Sequence, residues 1–438
     1  MVVIGAGIAG PAFAGRVIAL AIELGVKINV TLISRPSCNY CGGLVTDLSL
    51  RTMRGLYNYE PSEEVVLSEI DEVVLINPEG AASVAFDSPL ASVFRTGRFG
   101  QTGLDDSFKK NMALNMTPEA REMLSIVEPA VATSVNLPSG DTPGRVTFTH
   151  SGGTGQLDAD LVVIATGLRS MNSKLLTNFT SLTGYRPPRT MPASVTEVDV
   201  TASGSAKLER RMLMLNGVIP DSVIALIPKQ ENWITIAALH KLITADDLRK
   251  IFANPAVKEY VDIGDAEICL PCNKICSAAV FTGPARNFYG DGWVVLGDLT
   301  GYGRVLKDGY FAALLGADLA AHTVMFHGYS RAAFKRHYHS PLRQWLTDNR
   351  IGMGLFAFNN KLARFRAYNR AIAGAISSEA TREQYGGLMH SAFRALSTGE
   401  LSYACISLLF ASGLANWALK NPLRAIGIRG KVTGKMPP

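Results

Sequence analysis

Charge is what this sequence has least of. Only 18% of its 438 residues are charged, against 47% hydrophobic ones. So lean a surface suits a protein partner or a membrane better than full solvation. Histidine is scarce as well, and the seven present form neither H-x-x-H nor H-E-x-x-H, which excludes the helix-borne zinc site of a metalloprotease. No G-x-S-x-G elbow occurs, so a serine hydrolase of that type is excluded too. Basic residues are not interleaved with aromatics, no RNA-module signature appears, and no nucleic-acid partner is expected. Leu401 to Leu419 lacks any charge over 19 positions. That length could just span a bilayer. Its Gly, Ser, Asn and Cys content argues instead for a buried or interfacial helix.

Cysteine is limited to six positions, 38, 41, 269, 272, 276 and 405. Cys38–Cys41 and Cys269–Cys272 have C-x-x-C spacing, which admits a four-cysteine zinc site or reduced, redox-active or buried thiols. The pairs lie more than two hundred residues apart and neither sits in a compact ribbon, so no metal ligand is assigned. No secretory signal precedes the first strand, and a cytoplasmic protein is expected.

What is there begins at once. Met1 to Ile4 is a short apolar strand running into Gly5-Ala6-Gly7-Ile8-Ala9-Gly10, a G-x-G-x-x-G turn. An apolar stretch from Ala12 to Leu24 predicts a helix, and Asn29 to Ile33 a second strand. In that context Gly5 makes the tight turn, Gly7 lets backbone approach a pyrophosphate, and Gly10 lets helix and strand pack closely. The helix N-terminus adds free N–H groups and a positive dipole end. The acidic residue that commonly ends the second strand and holds a ribose is missing. Ser34 and Arg35 stand there, the first able to hydrogen-bond and the second suited to phosphate.

Further along, a helix is predicted over Leu48 to Leu56, half-buried strands over Val65 to Ile76 and Ala82 to Phe86, and a helix from about Leu104 through Lys110. Leu157 to Ile164 runs from a polar edge into an apolar stretch, predicting one buried parallel strand that ends in Ala165-Thr166-Gly167. Antiparallel strands are expected between 190 and 285, with a hairpin from Ser222–Ile227 into Trp233–Leu239. Thr244 is expected to cap a helix with Asp246 and Asp247 in its first turn. Gly292 to Asp298 is another apolar strand, ending in Gly297-Asp298. A small-residue helix follows from Tyr310 to His322, and everything from Ala332 onward is predicted helical. From Arg331 to the end, 16 basic residues face 4 acidic ones, a net +12, while the first 330 residues carry 27 basic and 33 acidic. A basic tail on an acidic body suits an anionic lipid surface.

The order of Gly5 to Gly10, Ala165-Thr166-Gly167 and Gly297-Asp298 resembles the FAD-dependent oxidoreductases of the para-hydroxybenzoate hydroxylase fold, over residues 1 to about 330. The resemblance implies an α/β chain: a Rossmann-like FAD-binding domain (1–60, 95–185 and 286–330), an inserted antiparallel-sheet substrate domain (61–94 and 186–285), and a helical basic C-terminal region (331–438). It implies that Asp298 holds the ribityl chain of FAD, that Arg95 or Arg98 reaches its phosphates, and that the helix at Gly309 points its N-terminus at the flavin pyrimidine. Within the fold the chain is most similar to the geranylgeranyl reductase-like branch. Cys41-Gly42-Gly43-Leu44 resembles that branch's C-G-G loop beside the flavin, and Lys307-Asp308-Gly309 resembles a run found in some of its members. The branch's Y-x-W-x-F-P hairpin is here Val223-Ile224-Ala225-Leu226-Ile227-Pro228, without the aromatics.

The resemblance implies hydride transfer at flavin N5, reducing or desaturating an apolar, isoprenoid or lipid-like substrate. Cys41 would stand near the reacting face and Lys307 at the flavin edge, with NADPH or another reductant as electron donor. A flavin monooxygenase and an electron-transfer flavoprotein serving a quinone or membrane partner are the alternatives. The tail adds the expectation of a peripheral position on the inner face of a membrane.

Overall fold

A computed structural model describes residues 1–35, 43–95, 102–200, 206–229, 233–261, 275–304, 309–380 and 387–422. The chain divides into two compact units that alternate along it.

The first unit comprises Met1–Leu67, Ser92–Val195 and Cys276–Met353. Its centre is a six-stranded sheet in the order Tyr289–Gly290, Trp293–Val295, Val162–Ile164, Val2–Ile4, Val30–Ile33 and Leu124–Val127. All neighbours run parallel except the first pair. Val3 lies between Val163 and Leu32, and all three are fully buried. Runs of β-branched residues suit strands covered on both faces, where no polar alternation is needed. The helix Ala9–Glu23 packs against Gly309–His327, and both bury small residues, Ala12, Ala14 and Ala21 in the first and Ala317, Ala320 and Ala321 in the second. Across this contact Arg16 Nε donates to Asp318 Oδ1 at 2.7 Å. Among the described residues Gly309–His327 is the helix long and apolar enough to cross a membrane, and it serves the core of this unit.

The stretch from Leu157 to Ile164 is two strands, not one. Gly153–Ala159 is the last strand of an antiparallel meander with Ala130–Asn136 and Gly144–His150, and Val162–Ile164 belongs to the parallel sheet. The pairing of the meander ends at Gly144 opposite Ala159, and Leu161 then offers its carbonyl to Val2 N–H at 2.9 Å. The polar residues thus face solvent in one sheet while the apolar ones fill another.

The second unit comprises Ser68–Ala91, Thr196–Ile275 and Gly354–Pro438. The hairpin Val223–Lys229 with Trp233–Leu239 forms as expected. Beside it Arg211–Asn216 pairs antiparallel with Val223–Lys229 and parallel with Glu72–Asn77, so the sheet is mixed. Val74, Ile76, Leu213, Leu215, Ile224, Leu226, Ile234 and Ile236 share one core, the period-2 side of four strands. Against it lies the helix Ala245–Ala253 through Leu248, Ile251 and Phe252. A reciprocal capping box of Thr244 and Asp247 starts that helix. A buried ion pair, Lys229 Nζ to Glu197 Oε1 at 2.8 Å, lies elsewhere in this unit.

From Arg331 the described residues are helical. Asn216 and Asn359 exchange amide hydrogen bonds of 3.2 and 3.0 Å, and Asn77 Nδ2 donates to Asn369 O at 3.1 Å. The charge-free stretch forms the helix Tyr403–Lys420, burying Tyr403, Ile406, Gly413 and Trp417. Leu408 is 69% exposed and Leu419 82%.

Candidate functional site

The glycine turn joins the central strand to the first helix. Gly5 has φ +110°, and a Cβ there would lie 2.4 Å from the Ala165 carbonyl oxygen. A Cβ on Gly10 would lie 1.9 Å from the Gly5 carbonyl oxygen. These two are glycine because the turn folds back on itself and on the neighbouring strand. Gly7 differs. It is exposed, and a Cβ there would come near one atom only, Asp105 Oδ2 at 3.9 Å. Ile8 and Ala9 are buried beneath it. The helix starting at Ala9 has no side-chain cap on its N-terminus and no acidic residue in its first turn. Its positive end is therefore left for an outside anion.

Two further strand ends meet this turn. Val162–Ile164 ends in Ala165-Thr166-Gly167, where the Thr166 and Ser170 hydroxyls lie 2.7 Å apart and Ser170 Oγ donates to Gly167 O at 2.7 Å. Trp293–Val295 continues into Leu296, whose N–H donates to Ile164 O at 2.8 Å, and then into Gly297-Asp298. A Cβ on Gly297 would stand 3.2 Å from the Ala9 Cβ, and one on Gly309 would stand 3.7 Å from Asp298 Oδ1. The Gly5–Gly10 turn, Ala165–Gly167, Gly297-Asp298 and Gly309 therefore converge at the carboxyl ends of the parallel strands. Open α/β sheets bind their ligands there.

Two residues complete the site that the sequence reading did not single out. Asp105 is the second residue of the helix Leu104–Leu114, and its Oδ1 accepts a hydrogen bond of 3.2 Å from Tyr310 OH. Burial pushes its carboxyl up to about 7, with Asp106 and Asp298 adding like-charge repulsion and the Tyr310 hydroxyl opposing the rise. Asp298 is hemmed in by protein yet keeps a face to solvent, and desolvation raises it to about 6. Of these two carboxyls with raised proton affinity, Asp105 lies toward the exposed Gly7 and Asp298 toward Gly309. An acidic first helical turn ordinarily compensates the dipole, which is why Asp105 carried no distinguishing signal in the sequence.

No family model matches the sequence, and no curated protein matches it. Solved structures do. A geranylgeranyl bacteriochlorophyll reductase-like protein from Thermoplasma acidophilum superposes with a TM-score of 0.66 at 13% identity, covering 97% of this chain and 98% of that one. The halogenase PltM in complex with FAD gives 0.61 at 14% identity, covering 98% and 94%. A p-nitrophenol 4-monooxygenase, PnpA, from Pseudomonas putida gives 0.55 at 11%, covering 95% and 97%. The chain has the fold of the FAD-dependent oxidoreductases.

Ser34 follows Ile33, whose carbonyl accepts from Gly5 N–H at 2.9 Å. Ser34 is buried, with its N–H bonded to Val127 O and its carbonyl to Ala130 N–H, and Arg35 beside it is exposed. Gly43 accepts from Phe94 N–H at 2.7 Å, and Leu44 opens the strand Leu44–Thr46. Arg95 directs its Nε to Glu64 O at 3.2 Å. Cys41, Gly42, Arg98, Lys307 and Asp308 lie outside the described residues, as do Cys38, Cys269 and Cys272. Cys276 is half-buried and Cys405 exposed. Among the described residues no three His, Cys, Asp or Glu side chains gather where they could hold a metal ion.

Proposed function

We propose that this protein binds FAD at the glycine turn and uses it to reduce or desaturate an apolar, lipid-like substrate. The convergence of Gly7, Asp298 and Gly309 at the strand ends carries the reading. The residues fit the cofactor. An exposed glycine and an uncapped helix start suit its diphosphate, and an accessible carboxylate suits the hydroxyls of its ribityl chain. Bound flavin would supply hydride transfer at N5. The protein's part is to hold the diphosphate on backbone N–H groups, orient the ribityl chain through Asp298, and present the N-terminus of Gly309–His327 to the ring, where its dipole favours negative charge. Cys41 near the reacting face, Lys307 at the flavin edge, and NADPH or another reductant as donor belong to the same proposal.

Likeness to a reductase-like protein supports reduction, and likeness to a monooxygenase supports a second reading in which oxygen is activated. Purified protein is expected to be yellow, with stoichiometric flavin released on denaturation. Reduced enzyme mixed anaerobically with isoprenoid or quinone substrates should be reoxidised by one of them. Reoxidation only when oxygen is admitted, with oxygen consumed in step with product, would replace the reductase by the monooxygenase. Colourless protein that takes up no FAD would overturn both. The exposed Leu408 and Leu419 and the basic C-terminal sequence support a further proposal, a cytoplasmic protein seated on the anionic inner face of a membrane.

A further inference from the structure

We propose that His339 is a positioning residue for the cofactor: through Tyr302 it holds the turn Gly297–Thr300, and with it Asp298, in the place that binds FAD. The proposal rests on the flavin reading above and adds to it a residue from outside the strand ends. Gly301 closes the turn with φ +63° and gives its N–H to Asp298 O at 3.1 Å. Tyr302 N–H donates to Thr300 Oγ1 at 3.1 Å, and that hydroxyl donates to Gly297 O at 2.8 Å. The chain is thus bonded to itself from Gly297 to Tyr302, so whatever fixes Tyr302 constrains Asp298.

The Tyr302 hydroxyl lies 2.8 Å from His339 Nε2, and the Tyr289 hydroxyl lies 2.9 Å from His339 Nδ1. A neutral imidazole donates at one nitrogen and accepts at the other, so one ring can tie both phenols. Burial, with the charges of Arg343 and Lys335 adding to it, lowers the proton affinity of His339 and favours that neutral form. The rings of Tyr289, Tyr302 and His339 all pack on Phe288, with centroids 5.0, 5.1 and 5.2 Å from it. Phenylalanine at 289 and 302 would serve packing alone. Two hydroxyls converging on one imidazole specify a fixed position instead. His339 ends the π-helical turn Phe334–His339, a backbone form that is frequent at functional sites. Its neighbour Tyr338 donates to Val295 O at 2.9 Å. This turn therefore bonds both to the strand that leads into Asp298 and to the residue that closes the chain behind it.

The test is FAD titration of flavin-free protein, read by quenching of flavin fluorescence, with the Tm of each variant measured alongside. His339→Leu should weaken FAD by about tenfold or more, the reach of the Asp298 contact, and Tyr302→Phe should do the same. Tyr289→Phe should bind like the wild type. A glutamine amide can stand where Nε2 does, and an asparagine amide where Nδ1 does. His339→Gln should therefore keep most of the affinity, and His339→Asn should lose it as His339→Leu does. Asp298→Ala combined with His339→Leu should bind no worse than Asp298→Ala alone, because the two act on one contact. Wild-type affinity in His339→Leu overturns the proposal while leaving the flavin site standing. So do equal affinities of His339→Gln and His339→Asn, or additive losses in the double variant, which would mark a merely structural effect. Should His339→Leu fail to fold, Tyr302→Phe and the two amide variants decide by the same criteria. If wild-type protein takes up no FAD, the flavin reading falls and this one with it.

Discussion

A side chain on Gly10 has nowhere to go, because its Cβ would stand 1.9 Å from a backbone carbonyl oxygen. On Gly7 the same atom meets nothing closer than 3.9 Å. Gly10→Ala is therefore expected to cost about 3 kcal/mol of stability, the upper range for overpacking, visible as a lowered Tm. Gly7→Val should keep the wild-type circular dichroism and melting and yet lose the flavin colour. A Gly7→Val protein with a full complement of FAD would remove the turn from the cofactor site. Asp298→Ala should weaken FAD by on the order of 1.5–3 kcal/mol, the range for a charge-assisted hydrogen bond, and an unchanged affinity would place the strand end away from the ribityl chain.

Asp105 adds a stability signature of its own. Its carboxyl holds a proton up to about 7 when folded, whereas the unfolded chain releases it near 3.8. Between those values the unfolded state gains ionisation that the folded state does not, so this group costs stability as pH rises from about 4 to 7 and by a constant amount above. Flavin-free Asp105→Asn should therefore melt with the wild type near pH 4 and increasingly above it up to pH 7, the difference then holding. An equal Tm at pH 8 would show that Asp105 is well solvated. Gly5, Gly7 and Gly10 follow from the spacing of the turn, and Asp298 from the resemblance that its strand end carries. Asp105 follows from neither, since its approach to Gly7 joins segments nearly a hundred residues apart.

At the scale of elements, local patterns carried far. The β-branched runs became parallel strands, and Thr244 with Asp247 became a capping box, because each depends on neighbours within a few residues. Two features depend on distant partners and left no local mark. The break after Ala159 falls in Asp160-Leu161, a turn without glycine or proline, and the parallel pairing of Arg211–Asn216 with Glu72–Asn77 leaves no trace in either strand. The helix Tyr403–Lys420 shows the limit from the other side, since an almost uniformly apolar sequence hid which face would be buried. Its exposed leucines can now be tested. The protein should co-sediment with anionic but not neutral vesicles, less so at high salt, and Leu408→Glu with Leu419→Glu should release it. If wild-type protein stays in the supernatant with anionic vesicles at low salt, the helix is a cap that faces water.

On the scale of the whole molecule, the alternation of the two units has a consequence for synthesis. The central strand Val2–Ile4 finds its partner Val30–Ile33 early, but its other neighbour, Val162–Ile164, arrives some 160 residues later, and Trp293–Val295 later still. At about 5–20 residues per second, the first of these waits lasts roughly 8–32 seconds. The helix Gly309–His327, which packs against the first helix, comes after both. A fragment ending at residue 195 should accordingly show no cooperative melting transition, although it holds the whole glycine turn; a sharp transition in that fragment would contradict the dependence. On the ribosome, the apolar strand Val2–Ile4 is the first to emerge and waits for Val162–Ile164 before it is closed on both sides. Through that interval its bare edge is a template for any neighbouring strand, so the yield of folded protein should depend on chaperone supply and translation speed more than on final stability.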